Sequence, residues 1–164
     1  MRRWVCTVVG SGESSARWGP ETARMAFRAG EIAASYGLIV VTGGGQGVMS
    51  EAARGARSVG GTTIGILPTA EFKDANPFLD IVIPSGIGFA RNSMTALAGD
   101  IMIAVPGGQG TLQEMSFALD YGRPVLSWDS WSIFPSVPMV APDRDDLVVA
   151  WVAEQLERLR GLSK

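Results

Sequence analysis

The apolar positions of this chain fall into short unbroken runs, separated by longer stretches where they recur every three or four residues. The runs are WVCTVV (4–9), LIVVT (38–42), TTIGIL (62–67), DIVIP (80–84), IMIAV (101–105) and PVLSW (124–128). They are rich in β-branched residues and do not alternate, which marks strands buried on both faces. Between them the spacing predicts helices over 20–36, 48–59, 89–98, 111–121 and 143–160. Pro20 opens the first, and Gly37, Gly60 and Gly122 stand just past three helix ends, where left-handed backbone is wanted. In the last helix Asp145 and Asp146 sit in the first turn and Arg158 and Arg160 in the last, an order that suits the helix dipole. Strands alternating with helices imply an α/β fold: a single Rossmann-like domain over 1–164, with a mostly parallel sheet and helices on both faces.

Three glycine-rich segments fall at the C-terminal ends of predicted strands: GSGES (10–14), GGGQG (43–47) and PGGQG (106–110). Ligands of open parallel sheets bind at those ends. Glycine costs backbone entropy, so such clusters need a reason. One reason is an anion. A helix N-terminus offers free amides and a favourable dipole, and glycine removes the Cβ atoms that would hold a phosphate away. The candidate binding residues are Gly10, Ser11 and Gly12, then Gly43, Gly44, Gly45, Gln46 and Gly47. Pro106, Gly107, Gly108, Gln109, Gly110 and the Thr111 hydroxyl complete them. The other reason is local. Thr111-x-x-Glu114 is also a capping-box pattern, and glycine loops can be bare turns. On the residues alone both readings stand.

Composition removes several classes. The chain of 164 residues is long enough for one real core, and its 18% charged content suits a compact protein. With no histidine and one cysteine, Cys6, there is no histidine base, no internal disulfide and no ordinary zinc set. A net charge of -2 without a basic stripe argues against a nucleic-acid partner. The N-terminus lacks the apolar core of a signal peptide and no segment reads as a membrane span, so the expectation is a cytoplasmic protein with no membrane partner. Nicotinamide binding wants an acidic residue at the end of the second strand, but that strand runs into Gly43. No triphosphate P-loop motif occurs.

TGGGQGVMSEAARGARSVGG, IGILP, ANPFLDIVIPSGIGFARNSM and PGGQGTLQEMSFALDYGRPV resemble the Lonely Guy (LOG) superfamily in order and spacing, most clearly over 38–128. That superfamily holds cytokinin-activating phosphoribohydrolases, once labelled lysine decarboxylases, and molybdenum-cofactor carrier proteins. Its signature P-G-G-x-G-T-x-x-E is complete from Pro106 to Glu114. The resemblance implies a homo-oligomer, dimer or tetramer, with its pocket near the subunit contact. In the hydrolases the signature loop and Thr hold a nucleotide 5′-phosphate, while a Glu and an Arg act on the N-glycosidic bond. Those roles would fall on Glu114 and Arg91. A carboxylate beside ribose can steady an oxocarbenium-like centre or orient water.

The hydrolases typically carry Arg-Lys where this chain has Arg91-Asn92, and GFARN with ANPFLDIVIP before it looks more like the carrier branch. The leading expectation is therefore a binding protein for a phosphorylated nucleotide-like molecule, of the molybdenum-cofactor carrier type, with Arg91, Asn92 and Glu114 added to its binding residues and no required cofactor or metal. The alternative is a nucleoside 5′-monophosphate phosphoribohydrolase. A lysine decarboxylase is not expected, because Lys73 and Lys164 lie outside the strand-end loops and pyridoxal phosphate needs a Schiff-base lysine. Lesser expectations are a solvated face at Glu51 and Arg54, rim positions at Glu13 and Ser14, and core or subunit contacts at Trp128 and Trp131. The segment PTAEFKDANP (68–77) reads as a pocket lid or subunit rim.

Overall fold

Strand and helix alternate as the pattern requires. In the computed structural model, which describes residues 2–162, the order is β1 (Val5–Val9), α1 (Pro20–Ser35), β2 (Ile39–Thr42), α2 (Val48–Ser58), β3 (Thr63–Leu67) and β4 (Ile81–Pro84). It continues with α3 (Arg91–Ala98), β5 (Ile101–Ala104), α4 (Gln109–Asp120), β6 (Val125–Trp128), β7 (Met139–Val140) and α5 (Asp145–Leu162). The strands form one sheet in the order β4-β3-β2-β1-β5-β6-β7, and every neighbouring pair is parallel.

The pleat sends alternate residues to opposite faces. Cys6, Val8, Ile101, Ile103, Leu126 and Trp128 meet α1, α2 and α5 in one core. Val9, Met102, Ala104 and Val125 meet α3 and α4 in a second. Helices α1 and α2 touch backbone to backbone: a Cβ on Gly30 would stand 1.9 Å from the Ala52 carbonyl oxygen, and one on Gly55 1.9 Å from that of Phe27. At the N-terminal end of the sheet, buried Asp100 accepts from the Val5 amide at 2.9 Å and from both terminal nitrogens of Arg2.

Three details differ from the sequence expectations. Helix α4 begins at Gln109, two residues early, with Gly108 as its N-cap and no side-chain cap, so Thr111 and Glu114 form no capping box. Strand β4 is an edge strand, and apolar Ile81 and Ile83 face outward from it. The two-residue β7 was not expected. Glu51 and Arg54 do form an exposed ion pair at 2.6 Å, and Trp128 is fully buried. Among the described residues no helix is long and apolar enough to cross a membrane.

Candidate functional site

After β1 the chain builds outward through β2, β3 and β4, then returns to add β5 on the other side of β1. Loops leaving β1 and β5 therefore diverge, opening a crevice at the C-terminal ends of the strands. The three glycine loops meet there. Ser11 ties them together: its amide donates to the Pro106 carbonyl at 3.0 Å, and its carbonyl accepts from the Val48 amide at 2.9 Å.

The loops are not equivalent. In the second, the Gly44 amide donates to Thr42 Oγ1 at 3.1 Å and the Gly45 amide to Met49 Sδ at 3.4 Å. That loop spends amides on its own shape. The third loop does not. The amides of Gln109, Gly110 and Thr111 lie in the first turn of α4, where no carbonyl precedes them in the helix, and none is paired among the described residues. Trp131 steadies this turn from outside, its indole Nε1 donating to the Gly108 carbonyl at 3.0 Å. Gly107 is needed for packing, since its Cβ would stand 2.0 Å from Thr111 Oγ1.

Beside the α4 N-terminus lies a cavity of about 130 Å³, lined by Val8, Val9, Gly10, Gly43, Met49, Phe89, Arg91, Asn92, Gly110, Thr111 and Glu114. Of the expected residues, seven come together on its wall: Gly10, Gly43, Arg91, Asn92, Gly110, Thr111 and Glu114. Ser11, Gly12, Pro106, Gly107, Gly108 and Gln109 do not line it, and Gln109 is exposed. Gly44, Gly45, Gln46 and Gly47 shape the neighbouring loop and do not line it. Glu13 and Ser14 are exposed outside it.

Arg91 is buried, and its Nη1 donates to the carbonyls of Gly43 at 2.7 Å and Ile66 at 3.0 Å. A Cβ at residue 43 would fall 2.0 Å from that nitrogen, so the glycine makes room for the arginine. Its Nε has no partner. Glu114, 8% exposed, has no hydrogen bond among the described residues; burial raises its carboxyl to about 8, against the pull of Arg91. Burial likewise lowers the Arg91 guanidinium, which still stays charged. Near neutral pH the cavity thus carries the arginine charge beside a mostly protonated acid, a balance that admits an anion. The buried Ser11 hydroxyl also lacks a partner. Buried polar groups are normally paired, and two of the four unpaired buried side-chain atoms among the described residues belong to Arg91 on the cavity wall and Ser11 next to it, which favours a ligand there.

Sequence reasoning missed Asn76. It is buried, and its side-chain amide donates to the carbonyls of Gly44 at 3.2 Å and Gly45 at 2.9 Å, pinning the second loop under the 68–77 segment. An asparagine before proline in a turn-rich stretch was its only signal. Phe89 and Met49, two apolar wall residues, were not singled out either.

A profile of the SLOG cluster4 family matches residues 3–153. An uncharacterized protein of Archaeoglobus fulgidus is 42% identical over 121 residues, covering 73% of this chain and 76% of that protein. The cytokinin riboside 5′-monophosphate phosphoribohydrolase of Mycobacterium tuberculosis is 30% identical over 125 residues, covering 70% of this chain and 66% of that enzyme. The solved molybdenum cofactor carrier protein of Chlamydomonas reinhardtii superposes with a TM-score of 0.84 at 30% identity, over 95% of this chain and 99% of that one. The chain belongs to the SLOG cluster4 family, within the superfamily of LOG proteins and molybdenum-cofactor carriers.

Proposed function

We propose that this chain binds a phosphorylated nucleotide-like small molecule of the molybdenum-cofactor type and carries it without transforming it. One observation bears most of the weight: unpaired amides of α4, the Thr111 hydroxyl and the Arg91 guanidinium converge on one small cavity at the sheet's switch point. A phosphate, the group common to molybdopterin and nucleotides, suits that donor set. Arg91 is tied by Nη1 to two backbone carbonyls, a scaffold role, and Asn92 stands where the hydrolases carry lysine. Similarity to the algal carrier over nearly the whole chain supports the same reading.

The cavity of about 130 Å³ holds a phosphate and little more. Sites for whole small molecules run to roughly 300–1,000 Å³. The rest of the ligand must lie over the rim, where Phe89 is 85% exposed and Ile87 51%. Apolar groups so exposed beside a site call for a cover. In this reading a second copy of the chain supplies it, making the protein a homo-oligomer whose pocket is completed at the contact.

The test is mass spectrometry of small molecules released when the purified protein is denatured, with molybdenum measured in parallel. A phosphorylated pterin or nucleotide in near-stoichiometric amount is expected. Protein that neither releases such a molecule nor retains added molybdenum cofactor overturns the carrier reading.

Glu114 motivates a second reading. A buried, unpaired carboxyl with a raised pKa in a cleft is a frequent mark of catalysis. As a hydrolase the protein would add water across the N-glycosidic bond of a nucleoside 5′-monophosphate, giving free base and ribose 5-phosphate. Base release from a monophosphate panel, abolished in Glu114→Gln, would establish that chemistry. No turnover with any monophosphate, or turnover undiminished in the variant, removes it.

A further inference from the structure

A larger cleft, of about 500 Å³, opens at the opposite rim of the sheet. It lies where α4 ends and β6 begins, against the C-terminal half of α5. Leu119, Val125 and Trp151 give it apolar walls. Two polar groups inside are left without partners. Gln155 is 4% exposed, lines the cleft, and its carboxamide makes no hydrogen bond among the described residues. The Arg123 Nε is buried and also unpaired. At the mouth Arg158 is joined to Glu154, so their charges offset each other. Arg123 is left as the net charge of the cleft.

Leaving a guanidinium nitrogen dry and unpaired, as the Arg123 Nε is, costs stability, while the Gln155 carboxamide is free to bond a ligand in the cleft. Arg123 and Gln155 both line one roomy, partly apolar space, where a ligand can take up hydrogen bonds that neither makes within the chain. We propose that this cleft is a second ligand site, taking a small organic carboxylate with an apolar body. One carboxylate oxygen accepts from the Arg123 guanidinium and the other from the Gln155 side-chain N–H. The apolar body lies along Trp151 between Leu119 and Val125. A monoanion matches the single uncompensated arginine. A neutral amide of the same shape does not, because it brings no negative charge to pair with the guanidinium. This site is separate from the glycine-loop cavity and stands whether or not the carrier reading holds.

The probe pair is phenylacetate and phenylacetamide, titrated into ¹⁵N-labelled full-length protein and followed by NMR. Phenylacetate is expected to shift the Trp151 indole and Gln155 side-chain signals in a saturable way, leaving Gly110 and Thr111 unmoved, while phenylacetamide shifts neither. Arg123→Met is expected to weaken phenylacetate binding about tenfold or more, with an unchanged far-UV spectrum confirming the fold. Gln155→Leu, which keeps the charge and the shape, is expected to weaken it less. Four results overturn the proposal. They are no saturable shift at millimolar phenylacetate, equal binding of acid and amide, Arg123→Met binding as wild type, or Trp151 and Gln155 signals that broaden with protein concentration alone, which would assign the cleft to a second copy.

Discussion

Glu114→Gln isolates the electrostatics of the cavity. The Glu114 carboxyl rises from its ordinary value of 4.5 to about 8 in the folded protein, chiefly through burial. Between those values the unfolded chain carries fewer protons than the folded one, so stability falls as pH rises. At about 1.4 kcal/mol per pH unit, this one group costs ~3 kcal/mol at pH 7 and ~5 kcal/mol above pH 8, and nothing below pH 4.5. Against a typical total of about 5–15 kcal/mol that is a large fraction. Gln keeps the shape and removes the titration. The stability of the variant relative to wild type should therefore be near zero at pH 4.5 and climb by ~3 kcal/mol at pH 7. Urea unfolding of both proteins at pH 4.5, 6, 7 and 8 reads the difference directly, since every other titration cancels. A difference flat across that range would refute the claim that Glu114 is buried as the neutral acid. A variant destabilised increasingly at high pH would mean a stabilised carboxylate instead.

Other positions test the packing around the site. Gly107→Ala puts a methyl 2.0 Å from Thr111 Oγ1 and should cost about 1–3 kcal/mol in urea unfolding, together with weakened phosphate binding; wild-type stability would contradict the close packing. Asn76→Ala removes two bonds to the second glycine loop and one to the Phe78 amide, an expected loss of about 1–3 kcal/mol, with faster amide exchange at Gly44 and Gly45 than in wild type. If the proposed homo-oligomer contacts itself through the rim, Ile87→Asp should leave the fold intact but shift sedimentation toward the monomer and weaken ligand retention; an unchanged sedimentation profile places any subunit contact elsewhere.

Most of the fold was legible because buried parallel strands announce themselves as unbroken β-branched runs. The strands whose runs were visible are where the pattern put them. Strand β7 was not, since two residues in a proline-rich stretch carry no periodicity. Ile81 and Ile83 show the limit of apolar runs: they say that a strand wants cover, not whether this chain provides it. The start of α4 was misread because Thr111 and Glu114 satisfy a local capping rule, while the helix takes Gly108 as its cap and turns Thr111 over Gly107. Arg91 was singled out by resemblance, but its bonds to Gly43 and Ile66 join residues 48 and 25 positions away, which no local pattern reveals. The same holds for Asn76 under the second loop. The two glycine loops looked alike as text, and differ because the Gly44 and Gly45 amides are already used.

The sharpest single measurement is a titration of ¹⁵N-labelled protein with adenosine 5′-monophosphate and, separately, adenosine. If the first turn of α4 grips a phosphate, the Gln109, Gly110 and Thr111 amides move strongly with the nucleotide and scarcely with the nucleoside. Equal responses to both, or nucleotide shifts confined to other residues, would contradict it.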